Sequence, residues 1–130
     1  MKNIDVENFA EKFIKNFVPS ISIKQLKKMK CYAPNFGYLW MICEHNLVDN
    51  LKGKAAMIAY DNVDKAGAME FQYDNGLMGD KVPIPLSIEN DSAEKIKKNG
   101  LIEFYVIGKD FSWCYIVGHE SKGTYFIKNK

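Results

Sequence analysis

The chain has 130 residues, of which 47% are hydrophobic and 26% charged, and its formal net charge is +2. This composition is typical of a globular protein and excludes an intrinsically disordered one. A chain of this length can bury a hydrophobic core without metals or disulfides, so we expect a single domain over residues 1–130. No apolar run reaches the roughly 18 residues that span a bilayer. Acidic residues near the start argue against a signal peptide, so a cytoplasmic protein is expected.

The basic side chains limit the kind of partner the protein can bind, and the cysteines indicate the redox state of its thiols. All 18 basic residues are lysine, and arginine is absent. Because arginine reads guanine edges and clamps phosphates with its planar fork, its absence argues against a nucleic-acid partner. The three cysteines, Cys31, Cys43 and Cys114, are odd in number and show no CxxC spacing. They are expected to be reduced thiols rather than a disulfide framework.

Two helices are predicted in the first 30 residues. Apolar residues recur at helical spacing behind Asp5, a good N-cap, which predicts an amphipathic helix that ends before Pro19. A second, shorter helix is predicted from the Ser22 cap to about Lys30. Its buried side is expected to comprise Ile23, Leu26 and Met29.

The second helix belongs to a stretch without acidic residues, between Glu11 and Glu44. Lys24, Lys27 and Lys28 are predicted to point to solvent from this helix. They would suit an acidic protein surface or a phosphate backbone. The plain alternative is a solvated helix face with no partner. No aromatic residue lies among these lysines, so a stacking platform for single strands is not indicated.

The middle of the chain predicts a mixture of strands and helices. Residues 36–43 are apolar at both alternating sets of positions, which predicts a central strand buried on both faces. The remaining predictions are a helix over 53–64, a half-buried strand over 68–74, a turn at 74–76, a proline-containing surface loop over 77–88, and a helix from Asp91 or Ser92 to Lys98.

Residues 101–120 predict a β-hairpin that turns at Gly108-Lys109 in a type II′ turn. With that turn, one face carries Ile102, Phe104, Val106, Phe111, Trp113, Tyr115 and Val117. The other face is mixed and carries Glu103, Tyr105, Ser112 and Cys114. With a last strand over 123–128, these elements predict an α+β fold, a mostly antiparallel sheet of about five strands with three or four helices packed against it.

The residues that could carry chemistry form no recognisable motif. Each of the two histidines stands beside a glutamate, in Glu44-His45 after Cys43 and in His119-Glu120 after Cys114. Neither spacing matches a metal-ligand motif, and no nucleophile or phosphate-binding motif is present. The sequence therefore predicts no catalytic residue, metal or cofactor. The alternative is a small metal- or histidine-dependent enzyme, or a small-molecule binder, that uses His119, Glu120 and also His45.

One set of residues carries a family resemblance: Asp110-Phe111-Ser112-Trp113, Tyr115, His119-Glu120 and Tyr125-Phe126. Together they resemble the C-terminal signature of a family of small bacterial proteins known as a domain of unknown function. Leu39-Trp40 and Tyr60-Asp61-Asn62 extend the likeness over the last two thirds of the chain. Thr124 departs from the pattern, which has proline there. The resemblance implies no established activity.

In size and style the chain also resembles immunity proteins of toxin–antitoxin and contact-inhibition systems, which cover the surface of a toxin. We therefore predict a cytosolic module that binds another protein, with no nucleic-acid or membrane partner. The candidate contact residues are Asp110, His119 and Glu120 at the ends of the hairpin, with Lys24, Lys27 and Lys28 as a second surface.

Overall fold

The computed structural model describes residues 6–32, 38–73, 90–98, 103–118 and 123–129. Five strands in these ranges form one antiparallel sheet, in the spatial order β1-β5-β4-β3-β2. The strands are β1 (Leu51–Lys52), β2 (Met69–Tyr73), β3 (Glu103–Ile107), β4 (Trp113–Val117) and β5 (Thr124–Lys128). The predicted α+β class and the predicted number of strands are confirmed.

Helices cover both faces of this sheet, so the fold has three layers. The described residues contain α1 (Val6–Phe17), α2 (Ile23–Lys28), α3 (Met41–Glu44), α4 (Lys54–Asn62) and α5 (Ala93–Lys98). The first three helices share one hydrophobic cluster with the sheet, and the last two share another on the opposite face. The number of helices is one more than the upper end of the predicted range.

The first cluster is built on an aromatic stripe of α1. Phe9 stacks on Phe71 of β2 with ring centroids 4.1 Å apart, and Phe13 meets Tyr105 of β3 edge-on at 5.7 Å. These contacts confirm the predicted amphipathic helix, because its phenylalanines face the sheet. Such aromatic pairs add stability beyond their buried area. The predicted cap, Asp5, lies outside the described residues.

The second cluster is built on α4. Tyr60 stacks on Tyr115 of β4 at 4.5 Å, and Trp113 stacks on Phe126 of β5 at 5.8 Å. The helix was predicted over 53–64 and is confirmed within two residues at each end. Within this helix Ile58 is 53% exposed, whereas Tyr60 is fully buried.

The predicted two-residue turn of the hairpin is wrong. The amide of Gly108 donates to the carbonyl of Trp113 at 2.9 Å, so the loop contains Lys109–Ser112 and includes a 3₁₀ turn over Lys109–Phe111. Asp110 and Phe111 have φ of +58° and +55°. The longer loop moves Phe111 to the α1 face, where it packs near Phe17 with ring centroids 6.2 Å apart.

The remaining hairpin residues keep the predicted faces, but both faces belong to the core. Phe104, Val106, Trp113, Tyr115 and Val117 lie in the second cluster. Tyr105 and Cys114, predicted on a mixed face, are fully buried in the first cluster because α1, α2 and α3 cover it. Glu103 is also fully buried, whereas Ser112 is exposed. Ile102 lies outside the described residues.

The predicted central strand over 36–43 is also wrong in its described part. Tyr38 has φ of +66°, a turn follows at Leu39 and Trp40, and α3 begins at Met41. Leu39, Trp40 and Ile42 are nevertheless buried, as the prediction required. A short apolar run cannot be assigned to strand or helix by periodicity, because full burial removes the alternation in both.

The other predicted elements lie close to the observed ones. The predicted strands over 68–74 and 123–128 are β2 and β5, and the helix predicted to end at Lys98 is α5. In α5 the amide of Lys95 donates to the Ser92 hydroxyl at 3.2 Å, which identifies Ser92 as a capping residue. The predicted turn at 74–76 and loop over 77–88 lie outside the described residues.

Candidate functional site

The second helix, α2, carries exposed lysines although it has only six residues. Ser22 caps its start, since the amide of Gln25 donates to the Ser22 hydroxyl at 3.2 Å. In return the amide of Ser22 donates to Oε1 of Gln25 at 3.0 Å. This reciprocal capping box satisfies donors that the first turn would otherwise leave open.

The end of α2 is closed by a Schellman motif. The amide of Cys31 donates to the carbonyl of Leu26 at 2.8 Å, and the amide of Lys30 donates to that of Lys27 at 3.1 Å. Lys30 takes the left-handed position with φ of +59°, where glycine is the usual residue. Leu26 and Cys31 are both fully buried, so the motif anchors the helix to the core.

These two caps present a surface that we call the lysine surface, made of Lys24, Lys27, Lys28, Met29 and Lys30. All four lysines are exposed, and Met29 is 44% exposed. The prediction that Met29 is buried is therefore wrong, and Ile23 is only partly buried. In the described part of the chain no acidic residue forms an ion pair with these lysines, because the ion pairs there join Lys95 to Asp91 and Lys98 to Glu94. A surface of this charge favours an acidic partner.

Of the predicted hairpin residues, only Asp110 lies in the described part of the chain. Asp110 is exposed in the 3₁₀ turn before β4, whereas Gly118 follows the other end of β4. The five residues of β4 separate these two ends by roughly 17 Å. His119 and Glu120, which follow Gly118 in sequence, lie outside the described residues.

Much of the signature that carried the resemblance has a packing role. Phe111, Trp113, Tyr115, Tyr125 and Phe126 are all buried in the two clusters. A Cβ atom at Gly108 would lie 2.3 Å from Nε1 of Trp113, so the loop closes directly over the indole. Only Asp110 and Ser112 are exposed among the described signature residues. Asp110 therefore remains a candidate contact residue, while the aromatic residues stabilise the fold.

The full burial of the Glu103 carboxylate was not predicted from the sequence. Its oxygens accept the amide of Tyr38 at 2.9 and 3.1 Å, and the hydroxyl of Tyr105 donates to the same carboxylate. Alternation had placed Glu103 on a mixed face, and nothing in the sequence indicates that α3 and the turn before it would cover that face. A buried carboxylate of this kind is held by its hydrogen bonds.

The cysteines supply no ready nucleophile. Burial raises the pKa of Cys43 to about 12, with Lys52 lowering it and Glu44 raising it. Burial also raises the pKa of Cys31 and, to a much greater extent, that of Cys114. The thiols are therefore protonated near neutral pH, whereas a nucleophilic cysteine reacts as the thiolate. All three are free cysteines, as predicted.

The described residues contain no cluster of three histidine, cysteine or carboxylate side chains that could hold a metal ion. His45 is exposed, and its neighbour Glu44 accepts the hydroxyl of Tyr125 at 2.6 Å. None of the helices in the described ranges is both long and apolar enough to cross a membrane.

A five-stranded antiparallel sheet with helices on both faces and an exposed lysine surface defines a small α+β protein. Residues 3–126 match the family model of a domain of unknown function, DUF4275, and the chain belongs to that family. The match includes the lysine-rich first third, which the sequence resemblance did not cover. No curated protein and no solved structure matches the chain.

Proposed function

We propose that this protein is a non-enzymatic, cytoplasmic binding module that covers an acidic patch on another protein. The lysine surface carries the proposal. Four exposed lysines and Met29, which is 44% exposed, lie on or directly after a helix that is capped at both ends, so the backbone that carries the charges is held in a fixed arrangement. A fixed surface loses less conformational freedom on binding than a mobile one.

Within this class we favour an immunity protein that neutralises a bacterial toxin. Such a protein needs a stable scaffold and one complementary surface, and it needs no reaction centre. The three-layer core supplies the scaffold, and the lysine surface is complementary in charge to a toxin with an acidic active-site rim. Met29 adds an exposed apolar side chain next to the charges, and protein interfaces commonly combine apolar with polar contacts.

The test is capture of partners from a native-host lysate, followed by affinity measurement with the purified partner. The triple variant Lys24→Gln/Lys27→Gln/Lys28→Gln removes three charges and keeps helix-forming residues in α2. A matched control is Lys95→Gln/Lys97→Gln/Lys98→Gln in α5, which removes three charges from the helix layer on the opposite face of the sheet.

We expect the α2 variant to lose affinity at least about tenfold, and the α5 variant to bind within about twofold of wild type. Affinity should also fall as salt rises, because exposed charges are screened. Equal affinity of the two triple variants would contradict the proposal. Expression of the captured partner alone should slow growth, and its co-expression with this protein should restore growth. A partner without toxicity would exclude the immunity role and leave the binding role in place.

A further inference from the structure

The short strand β1 leaves part of its neighbour β5 uncovered at the edge of the sheet. β1 pairs Leu51 with Phe126 and Lys52 with Tyr125. The same antiparallel register would place Asp49 opposite Lys128. No backbone hydrogen bond between described residues joins that pair. The chain joins β5 only at Leu51, after it has passed the position opposite Lys128.

Among the described residues, the backbone groups at this edge that form no hydrogen bond with β1 belong to Lys128. The amide of Asn129 donates to the carbonyl of Ser112 at 3.0 Å, so the backbone of Asn129 faces β4. Successive residues of an antiparallel strand face opposite neighbours, so the N–H and C=O of Lys128 face the β1 side. Thr124 lies four residues before Lys128, so its backbone groups face the same side of β5, and its carbonyl accepts the amide of Gly53 there at 2.9 Å.

A cavity of about 510 Å³ opens where β1 and β5 diverge. It lies between the end of α1, the segment 46–49 and the end of β5, and its volume is within the range of ligand sites. Buried apolar side chains contribute to its walls, among them Phe17, Val18 and Ile127. Its exposed charged residues are Lys15, Asp49 and Lys128, which carry both signs.

The chemistry of this cavity suits a peptide backbone better than a simple ion. Charges of both signs at the rim favour neither an anion nor a cation. The last turn of α1 ends there, and the final carbonyls of a helix have no partner within it and accept donors. Lys128 adds one donor and one acceptor at the spacing of a strand. An extended peptide supplies alternating donors and acceptors, and it turns every second side chain towards one wall.

We propose that this cavity binds an extended peptide segment of a partner protein, which adds to the sheet beside Lys128 in the place that β1 leaves open. This is β-augmentation, in which backbone hydrogen bonds provide affinity and a pocket accepts alternate side chains. The site is separate from the lysine surface, so each can fail without the other.

The test uses a capped probe peptide, acetyl-Ser-Val-Thr-Val-Ser-amide, titrated into the full-length protein and followed by amide chemical shifts. Lys128→Pro removes the outward N–H and keeps the hydrogen bond of Asn129 to Ser112, since proline is tolerated where an edge N–H faces solvent. Binding is compared with Lys128→Ala, which loses the same side chain and keeps the amide. The same peptide with methylated backbone nitrogens tests the peptide's own donors.

We expect saturable shifts at Ile127, Lys128 and the 46–49 segment. Affinity for Lys128→Pro should be roughly three- to tenfold weaker than for Lys128→Ala, as expected for one lost hydrogen bond. The methylated peptide should not bind. No saturable shifts, equal affinities for the two variants, or binding of the methylated peptide would each overturn the proposal. Should Lys128→Pro fail to fold, the two peptides with wild-type protein decide the question.

Discussion

The buried carboxylate of Glu103 accepts the backbone amide of Tyr38 at 2.9 and 3.1 Å, across 65 positions in sequence. This contact joins the start of β3 to the segment that leads into α3. Tyr38 is held there with φ of +66°, a conformation that a tyrosine rarely adopts. The hydroxyl of Tyr105, which is also in β3, donates to the same carboxylate, so Glu103 joins β3 to the segment before α3.

Substitution Glu103→Gln should destabilise the protein by about 1–3 kcal/mol, because a neutral amide offers one acceptor oxygen in place of two charged ones. Urea unfolding measures the change. Glu94→Gln is the control, since Glu94 is an exposed helix residue in a weak surface pair with Lys98, and it should shift stability by less than about 0.5 kcal/mol. A Glu103→Gln protein as stable as the control would show that the hydrogen bonds contribute little.

Lys30 lies in the left-handed position that ends α2, and Lys30→Gly should therefore increase the free energy of unfolding by about 0.5–1 kcal/mol. Lys27→Gly provides the opposite case. It places glycine inside the helix and should lower stability by about 1 kcal/mol. Thermal or urea unfolding of both variants gives the two signs. A loss of stability in Lys30→Gly would mean that the Lys30 side chain contributes more than the backbone strain costs.

Gly108 has φ of −68°, so glycine is needed there for space rather than for backbone conformation. Its closest contact would be with the indole of Trp113, at 2.3 Å from an added Cβ. Gly108→Ala should cost about 1–3 kcal/mol through overpacking. Gly53→Ala is an informative comparison, because Gly53 has φ of +59° but open space around its Cβ position.

A double-mutant cycle separates the contact from other effects. Trp113→Phe removes the part of the indole that an alanine at 108 would meet, so the double variant should lose less stability than the sum of the two single variants. Additive losses would mean that Gly108→Ala acts through something other than the indole.

Stability should fall at alkaline pH because of two stacked tyrosines. Burial raises the pKa of Tyr60, with Asp61, Asp91 and Glu70 adding to the effect, and burial and Asp61 also raise that of Tyr115. Unfolded tyrosine ionises near pH 10. Above this pH the unfolded chain releases protons that the folded protein retains, so the free energy of unfolding falls by up to about 1.4 kcal/mol per pH unit for each group.

Urea unfolding measured from about pH 8 to about pH 11 gives this slope. Buried thiols whose pKa is also raised, Cys43 and Cys114, add to it from about pH 8.5. Tyr60→Phe removes one phenol and should flatten the curve above pH 10. A Tyr115→Phe variant would also lose the hydrogen bond that the Tyr115 hydroxyl donates to the carbonyl of Ala93 at 3.0 Å. Parallel curves for wild type and Tyr60→Phe would contradict the prediction.

Local chemistry made several elements predictable from the sequence alone. The phenylalanine stripe of α1, the Ser22 cap of α2, the alternation of β2 and the aromatic strands β4 and β5 each carry their signal within about a dozen residues. The α+β class followed from those elements. The exposure of Lys24, Lys27 and Lys28 was also predicted, because charged side chains favour solvent, whereas Met29 of the same surface was predicted to be buried and is exposed.

Tertiary structure decided the features that depend on residues far apart. In the run 36–43 the described residues, from Tyr38 onward, are buried or half-buried and show no alternation, and only their position against the sheet makes them a turn and a helix. The loop at Lys109–Ser112 is longer than two residues because Phe111 gains contacts with α1, which local turn preferences do not include. Glu103 is buried because Tyr38, 65 positions away, brings it a donor. The open edge at Lys128 exists because β1 begins only at Leu51, and that start is visible only in the register of the folded sheet.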